Sequence, residues 1–469
     1  MSSLVRAGAR VAALSGLLVG CGASSGSAPT PVNSGGAGAG HPSSAGASML
    51  GGTGSEVGGQ PASSAGSFGL GGNLGVSGSF GGAGAAGSDG AGGRAGAGSS
   101  GSDAGAGAAG QSSSMYPSAT DVLEVLARVN QQFAEKWPDP AAPIVVGGTS
   151  RESNIWTRAV YYEGLLNLYG VDPKPAYKDY AMAWGTAHGW QLRNDDSTTT
   201  NADNQCAGQA YIDLYNLDGA KDSARITAIQ TSVDGMVAAK VTKAWTWIDA
   251  IQMSMPVFAR LGALHPNGDY FDAMYGLYSY PKQTLGLYDT TRHLWWRDAN
   301  WKAQQSPNQK PIFWSRGNGW VFAALARSLD FVPATDPHRA EYLQDFTDMA
   351  KALRALQRSD GFWNPNLGDA DHFGGPESSG TALFVYGMAW GIRTGALDEA
   401  TFGPVIVHAW KSLVETAVHA GGFVGFMQST GDDPSDGQPL TADKVPDFED
   451  YGVGCVLLGG SELAKLASR

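Results

Sequence analysis

The sequence predicts an all-α protein, about a dozen helices in one large domain behind a tail with no fold of its own. Three observations carry this. Apolar residues recur at helical spacing almost without a break from Asp121 onward, strand-like alternation is scarce, and residues 22–114 are Gly, Ala and Ser with little else.

The chain begins with a segment that reads as a bacterial lipoprotein signal. Arg6 and Arg10 form its charged end, an apolar run follows from Val11 to Val19, and Leu18-Val19-Gly20-Cys21 resembles a lipobox. Cys21 is then the expected lipidated residue, at a cell surface or in a periplasm, although an ordinary secretory peptide fits the same run. That run is too short for a stable span, so any hold on a membrane would come from the lipid. The tail up to residue 115 contains neither Trp nor Tyr. It cannot bury enough apolar surface to fold, and as a Gly-rich coil it would extend roughly 50 Å.

Charge separates tail from domain. Arg6, Arg10 and Arg94 offset Glu56, Asp89 and Asp103, so the net charge of -12 belongs entirely to residues 116–469. That acidity, with no basic run, argues against nucleic acid as a partner. An anionic substrate would need a local basic pocket.

Within residues 116–469, the first helix is expected from Asp121 to Trp137, ended by Pro138 and Pro140. Further helices are expected over 156–169, 177–190, 203–217, 220–243, 256–264 and 270–280. The series continues over 318–332, 338–357, 378–394, 398–420 and 452–467. Residues 284–301 and 421–429 could form small hairpins in long connections. Short connections pair helices as antiparallel hairpins, and six of these in a ring would gather one set of loops on a common face.

Aromatic and acidic residues concentrate in alternate connections, which suits a sugar-binding cleft as well as loops that seal helix ends. The densest run is Phe313-Trp314-Ser315-Arg316-Gly317-Asn318-Gly319-Trp320, read as a pocket wall in the loop feeding a helix. Its glycines would permit a tight turn or close approach to a ligand, and Arg316 offers a planar fork for a carboxylate. Trp245-Thr246-Trp247-Ile248-Asp249 sets a carboxylate between indoles, where desolvation raises its pKa and favours a proton donor. A nearby helix start or Arg would oppose that shift.

Asp203 follows a polar run and could be catalytic or an N-cap. Glu377 could be a pocket ligand or the cap of its helix. Asp298 could pair locally with Arg297, and Cys206 and Cys455 could form a disulfide or remain buried thiols. No HExxH, His pair or Cys/His cluster suggests a metal, no Gly-rich loop suggests a nucleotide, and no GxSxG elbow appears. No cofactor is expected.

With these residues assembled, the domain resembles glycoside hydrolase family 105, the unsaturated rhamnogalacturonyl hydrolases. The shared elements are Trp245-x-Trp-x-Asp249-Ala, Leu294-Trp-Trp-Arg-Asp298, Phe313 to Trp320, Glu377-Ser-Ser-Gly-Thr-Ala382 and Tyr451-Gly-Val-Gly454. The resemblance implies an (α/α)6 barrel acting on lyase-generated, pectin-type oligosaccharides. Asp249 would protonate the C4=C5 vinyl ether of a terminal unsaturated uronic acid, with Asp203 as the second carboxylate. Arg316 and Trp320 would line the uronate subsite, among Trp245, Trp247, Trp314, Asn318, Trp296 and Glu377. Trp stands where well-known members carry His, both before the acid/base motif and within Trp295-Trp296, which leaves the leaving sugar open. An inverting glycosidase on a saturated glycoside and a non-catalytic carbohydrate-binding lipoprotein are the competing readings.

Overall fold

The computed structural model describes residues 115–469 apart from 147, 446 and 448. The signal, Cys21 and the Gly/Ala/Ser tail lie outside these. In chain order the helices are α1 (Ala119–Lys136), α2 (Trp156–Tyr169), α3 (Pro175–Ala187), α4 (Ala202–Gln205), α5 (Ala207–Leu217), α6 (Thr227–Ala238) and α7 (Asp249–Leu264). Then come α8 (Tyr270–Ser279), α9 (Ala299–Lys302), α10 (Ser315–Leu329), α11 (Arg339–Ala355), α12 (Ser378–Thr394), α13 (Glu399–Ser412) and α14 (Asp450–Ala467).

Two sequence patterns sort them. Helices α1, α3, α6, α8, α11 and α13 bury one stripe each, for example Val122, Val125, Leu126, Val129 and Phe133 on α1. Helices α2, α7, α10, α12 and α14 are buried nearly all round, and α5 over most of its length. A helix apolar on every side belongs inside, and one with a single stripe belongs outside. The inner helices touch in the order α2, α5, α7, α10, α12, α14 and back to α2, which closes the ring of an (α/α)6 barrel. Where α2 meets α14, a Cβ on Gly454 would stand 2.3 Å from the Val160 carbonyl oxygen, so only glycine permits that approach.

Two short hairpins decorate the connections. β1 (Ile144–Val146) pairs antiparallel with β2 (Thr149–Arg151), which the alternation did not announce, and β3 (Tyr288–Asp289) pairs with β4 (Leu294–Trp295) inside the expected 284–301 stretch. The 421–429 stretch makes only an isolated bridge between Val418 and Val424.

Several expected boundaries move for physical reasons. Helix α7 begins at Asp249, with Pro256 in its interior. A proline there has no N–H for the carbonyl four residues back, and Gln209 of α5 supplies the substitute, its Nε2 donating to the Gln252 carbonyl at 2.8 Å. Helix α10 begins at Ser315, so Arg316 to Trp320 are helical rather than part of a loop. Gly317 and Gly319 serve packing there: a Cβ on Gly319 would lie 2.9 Å from Leu383 Cδ1 of α12. The expected 203–217 helix is α4 and α5 joined at Cys206, and 220–243 shortens to α6.

Candidate active site

Each inner helix is entered from an outer one, so the outer-to-inner connections and the N-terminal ends of the inner helices share one face. A cavity of about 290 Å³ opens there. Trp156 comes from the start of α2, Asn201 and Asp203 from α4, Thr246, Trp247, Asp249 and Met253 from the entry to α7, and Leu285 and Arg297 to Asn300 from the loop before α10. Gly431 contributes from the connection before α14.

Asp249 is the first residue of α7 and only 8% exposed. The Ile248 N–H donates to the Arg297 carbonyl at 3.0 Å, and Trp247 bridges to Asp298, so two connections are clipped together beside the carboxylate. Arg297 Nε stands 3.4 Å from Asp249 Oδ2. Neither atom has a hydrogen-bond partner in the protein, so this is a charge contact without a bond. Burial holds the Asp249 carboxyl above the ordinary aspartate range, against the opposing guanidinium groups of Arg297 and Arg316.

Asp203 is the second residue of α4, and the cap it was weighed as is instead Asn201, whose side chain accepts from the Asn204 N–H. Its pKa is pushed up to about 7 by burial and then by the charge of Asp249, with Arg297 and Arg193 opposing. The cavity therefore holds two acids raised chiefly by burial, and Asp203 is raised further by the charge of Asp249. Of the indoles expected in the cleft, Trp247 lines the cavity.

The other expected site residues do not line it. Arg316 is sealed, with its guanidinium 4.4 Å from the Trp314 ring and 4.8 Å from Tyr451. Its Nη groups donate to Tyr451 Oη at 3.1 Å and to the Ser429 carbonyl at 2.6 Å. Trp314 donates to Gln428 Oε1, and Trp245 packs edge-on to Phe258. Trp320 is buried edge-on behind Trp156, ring centroids 6.5 Å apart, so it braces a lining residue. Asn318 accepts from the Trp295 N–H and donates to the Trp295 carbonyl, pinning β4 to α10. Trp296 packs on Phe313. Glu377 caps α12, accepting from the Ser379 and Gly380 N–H groups at 2.9 and 2.7 Å.

Arg297 and Trp156 line the cavity without having been singled out as site residues, although Trp156 stood in one of the aromatic connections expected to form a cleft. Arg297 was weighed only as a partner of Asp298, and that pairing exists at 2.7 Å. Its signal was the shared run Leu294 to Asp298. Cys206 and Cys455 are both free buried thiols. Asp432, Asp433 and Asp436 bring carboxylate oxygens within 4.8 Å of one another beside the cavity. Asp436 already accepts from the backbone N–H groups of Asp432 and Asp433, so the loop itself engages it. Among the described residues, no helix is long and apolar enough to cross a membrane.

Residues 125–467 match the description of Glycosyl Hydrolase Family 88. The chain belongs to that family. A relative from Formosa agariphila, an unsaturated 3S-rhamnoglycuronyl hydrolase, is 31% identical over 332 residues, which span 66% of this chain and 84% of that one. A family 88 structure from Bacteroides vulgatus is 31% identical with a TM-score of 0.67, covering 75% of this chain and all of that one. A structure described as a polysaccharide lyase is 30% identical with the same TM-score, covering 74% of this chain and 97% of that one. The unsaturated glucuronyl hydrolase of Bacillus sp. GL1, at 15% identity and a TM-score of 0.55 over 72% of this chain and 95% of its own, shares the six-hairpin fold. The family 88 chain is thus a glycoside hydrolase on an (α/α)6 barrel.

Proposed function

We propose that this enzyme removes a terminal 4,5-unsaturated uronic acid from lyase-generated oligosaccharides by hydrating the C4=C5 vinyl ether. The observation that carries the reading is Asp249, a buried carboxyl held above its ordinary pKa in a cavity it shares with Asp203. A carbon base such as a vinyl ether needs a carboxylic acid that keeps its proton near neutrality, and desolvation supplies one. Asp249 gives its proton to C4, and water adds to C5 with its second proton passing back to a carboxylate. The hemiketal so formed opens to a 5-keto uronate and the sugar at C1 leaves, with one water consumed overall. Trp247 and Trp156 offer apolar faces to the pyranose rings.

The name of the Formosa agariphila relative joins an unsaturated uronyl unit to rhamnose. Rhamnosyl oligosaccharides with an unsaturated end, sulfated at O3 or not, are therefore the first substrates to try. The test is the ultraviolet absorbance of the unsaturated uronate. Wild type should bleach it, and Asp249→Asn should slow the bleaching by about a hundredfold or more. The similarity to a structure described as a lyase makes the sign of the change informative, since a lyase acting on intact polymer would create the chromophore. Sugar release from saturated glycosides without bleaching would favour inverting hydrolysis.

A further inference from the structure

We propose that Arg297, rather than Arg316, takes the carboxylate of the unsaturated uronate, turning from Asp249 to the substrate as it binds. The inference rests on the function proposed above and assigns the charge recognition within that same cavity.

A uronate carries a full negative charge into a domain that is itself acidic, and into a cavity already lined by Asp203, Asp249 and Asp298. Some cation must meet it. Arg297 is the cationic side chain among the cavity-lining residues. Arg316 cannot serve without dismantling its surroundings, because its guanidinium is stacked between two rings and its Nη groups are bonded inside the protein.

The bonding of Arg297 is incomplete in the way this role needs. Its Nη1 is tied to Asp298 at 2.7 Å, which holds the side chain in place. Nε faces Asp249 at 3.4 Å without a hydrogen bond. Asp432 adds a third carboxylate at 3.7 Å. A planar fork with one edge anchored and donors to spare accepts an incoming carboxylate at little cost in ordering. The backbone clip between residues 247–248 and 297–298 keeps that fork beside the proton donor, so the group that binds C6 and the acid that serves C4 are positioned by one local structure. As the guanidinium turns to the substrate, Asp249 loses a charge that favours its ionised form, so binding promotes the protonated acid that the reaction uses.

The experiment compares an unsaturated uronyl oligosaccharide with its methyl ester, which keeps the ring and the double bond but carries no charge, in wild type, Arg297→Met and Arg297→Lys. Wild type should prefer the acid. Loss of a charge-assisted hydrogen-bond pair should cut kcat/KM for the acid by on the order of 10- to 100-fold in Arg297→Met, chiefly through KM, and lower the acid-to-ester ratio by a similar factor. Arg297→Lys should restore part of the preference. Removing the Arg297 charge beside Asp249 acts on the turnover of both substrates, so the acid-to-ester ratio of KM reports the contact with the carboxylate. A ratio unchanged in both variants overturns the proposal, because a purely structural Arg297 would weaken acid and ester alike. If wild type bleaches neither substrate, the proposed function fails instead, and the two failures are distinct.

Discussion

Replacing Asp203 by Asn removes a carboxyl whose ionisation the folded cavity resists, so the variant should gain stability as pH rises while it loses activity. An aspartate has its ordinary value near 3.8, and in the fold Asp203 is pushed up to about 7 by burial and by Asp249. Between those values the folded chain holds a proton that the unfolded chain has released, and stability falls with increasing pH until it levels off above about 7. The gap corresponds to a ceiling of ~4 kcal/mol. Partial exposure of Asp203 and its coupling to Asp249 bring the expected effect down to about 1–3 kcal/mol. Urea unfolding followed by tryptophan fluorescence at pH 5, 6, 7 and 8 reads it directly. The stability of Asp203→Asn minus that of wild type should grow across this series and flatten at the top. A flat or falling difference would refute the claim that Asp203 is held protonated by its surroundings. Turnover of the unsaturated substrate should fall in the same variant, marking a site that gives up stability for chemistry.

Asp249→Asn should slow bleaching by about a hundredfold or more while near-ultraviolet circular dichroism keeps the wild-type pattern, because the amide preserves the shape of the carboxyl and removes its acidic proton. In both carboxylate variants the chemistry, rather than substrate affinity, should carry most of the loss, which single-turnover kinetics separates. Gln209→Leu leaves the Gln252 carbonyl opposite Pro256 without its donor, and should lower stability by about 1–3 kcal/mol in thermal or urea unfolding. The lipobox reading of Leu18 to Cys21 leads us to propose an anchored lipoprotein: Cys21→Ala should move the enzyme from the membrane pellet and detergent phase to the soluble fraction, with substrate turnover retained.

Much of the helical order was legible in the chain. The periods over 156–169 and 378–394 coincide with α2 and α12 residue for residue, because a clean apolar pattern bounded by a glycine or a capping carboxylate leaves little freedom in where a helix stops. Pro256 misled the reading of α7, since nothing local says that Gln209, 47 residues before it, will bond the carbonyl the proline abandons. Phe313 to Trp320 misled in another way. Glycines that suit a loop also suit a helix pressed against a neighbour, and only Leu383 across the α10–α12 contact decides between them.

The sequence by itself determined the helical class and the two carboxylates most worth watching, because periodicity and an acid between indoles are local properties. Tertiary structure alone decided which aromatic and which arginine meet the cavity. Trp245 and Trp247 differ by two residues, yet one is buried against Phe258 and the other lines the site. Arg316 looked the better carboxylate ligand and is sealed by Trp314, Tyr451 and Ser429, while Arg297 stands open beside Asp249. Whether a side chain is spent on the protein or left free for a substrate depends on partners that arrive from distant parts of the chain, and their positions exist only once the ring of helices has closed.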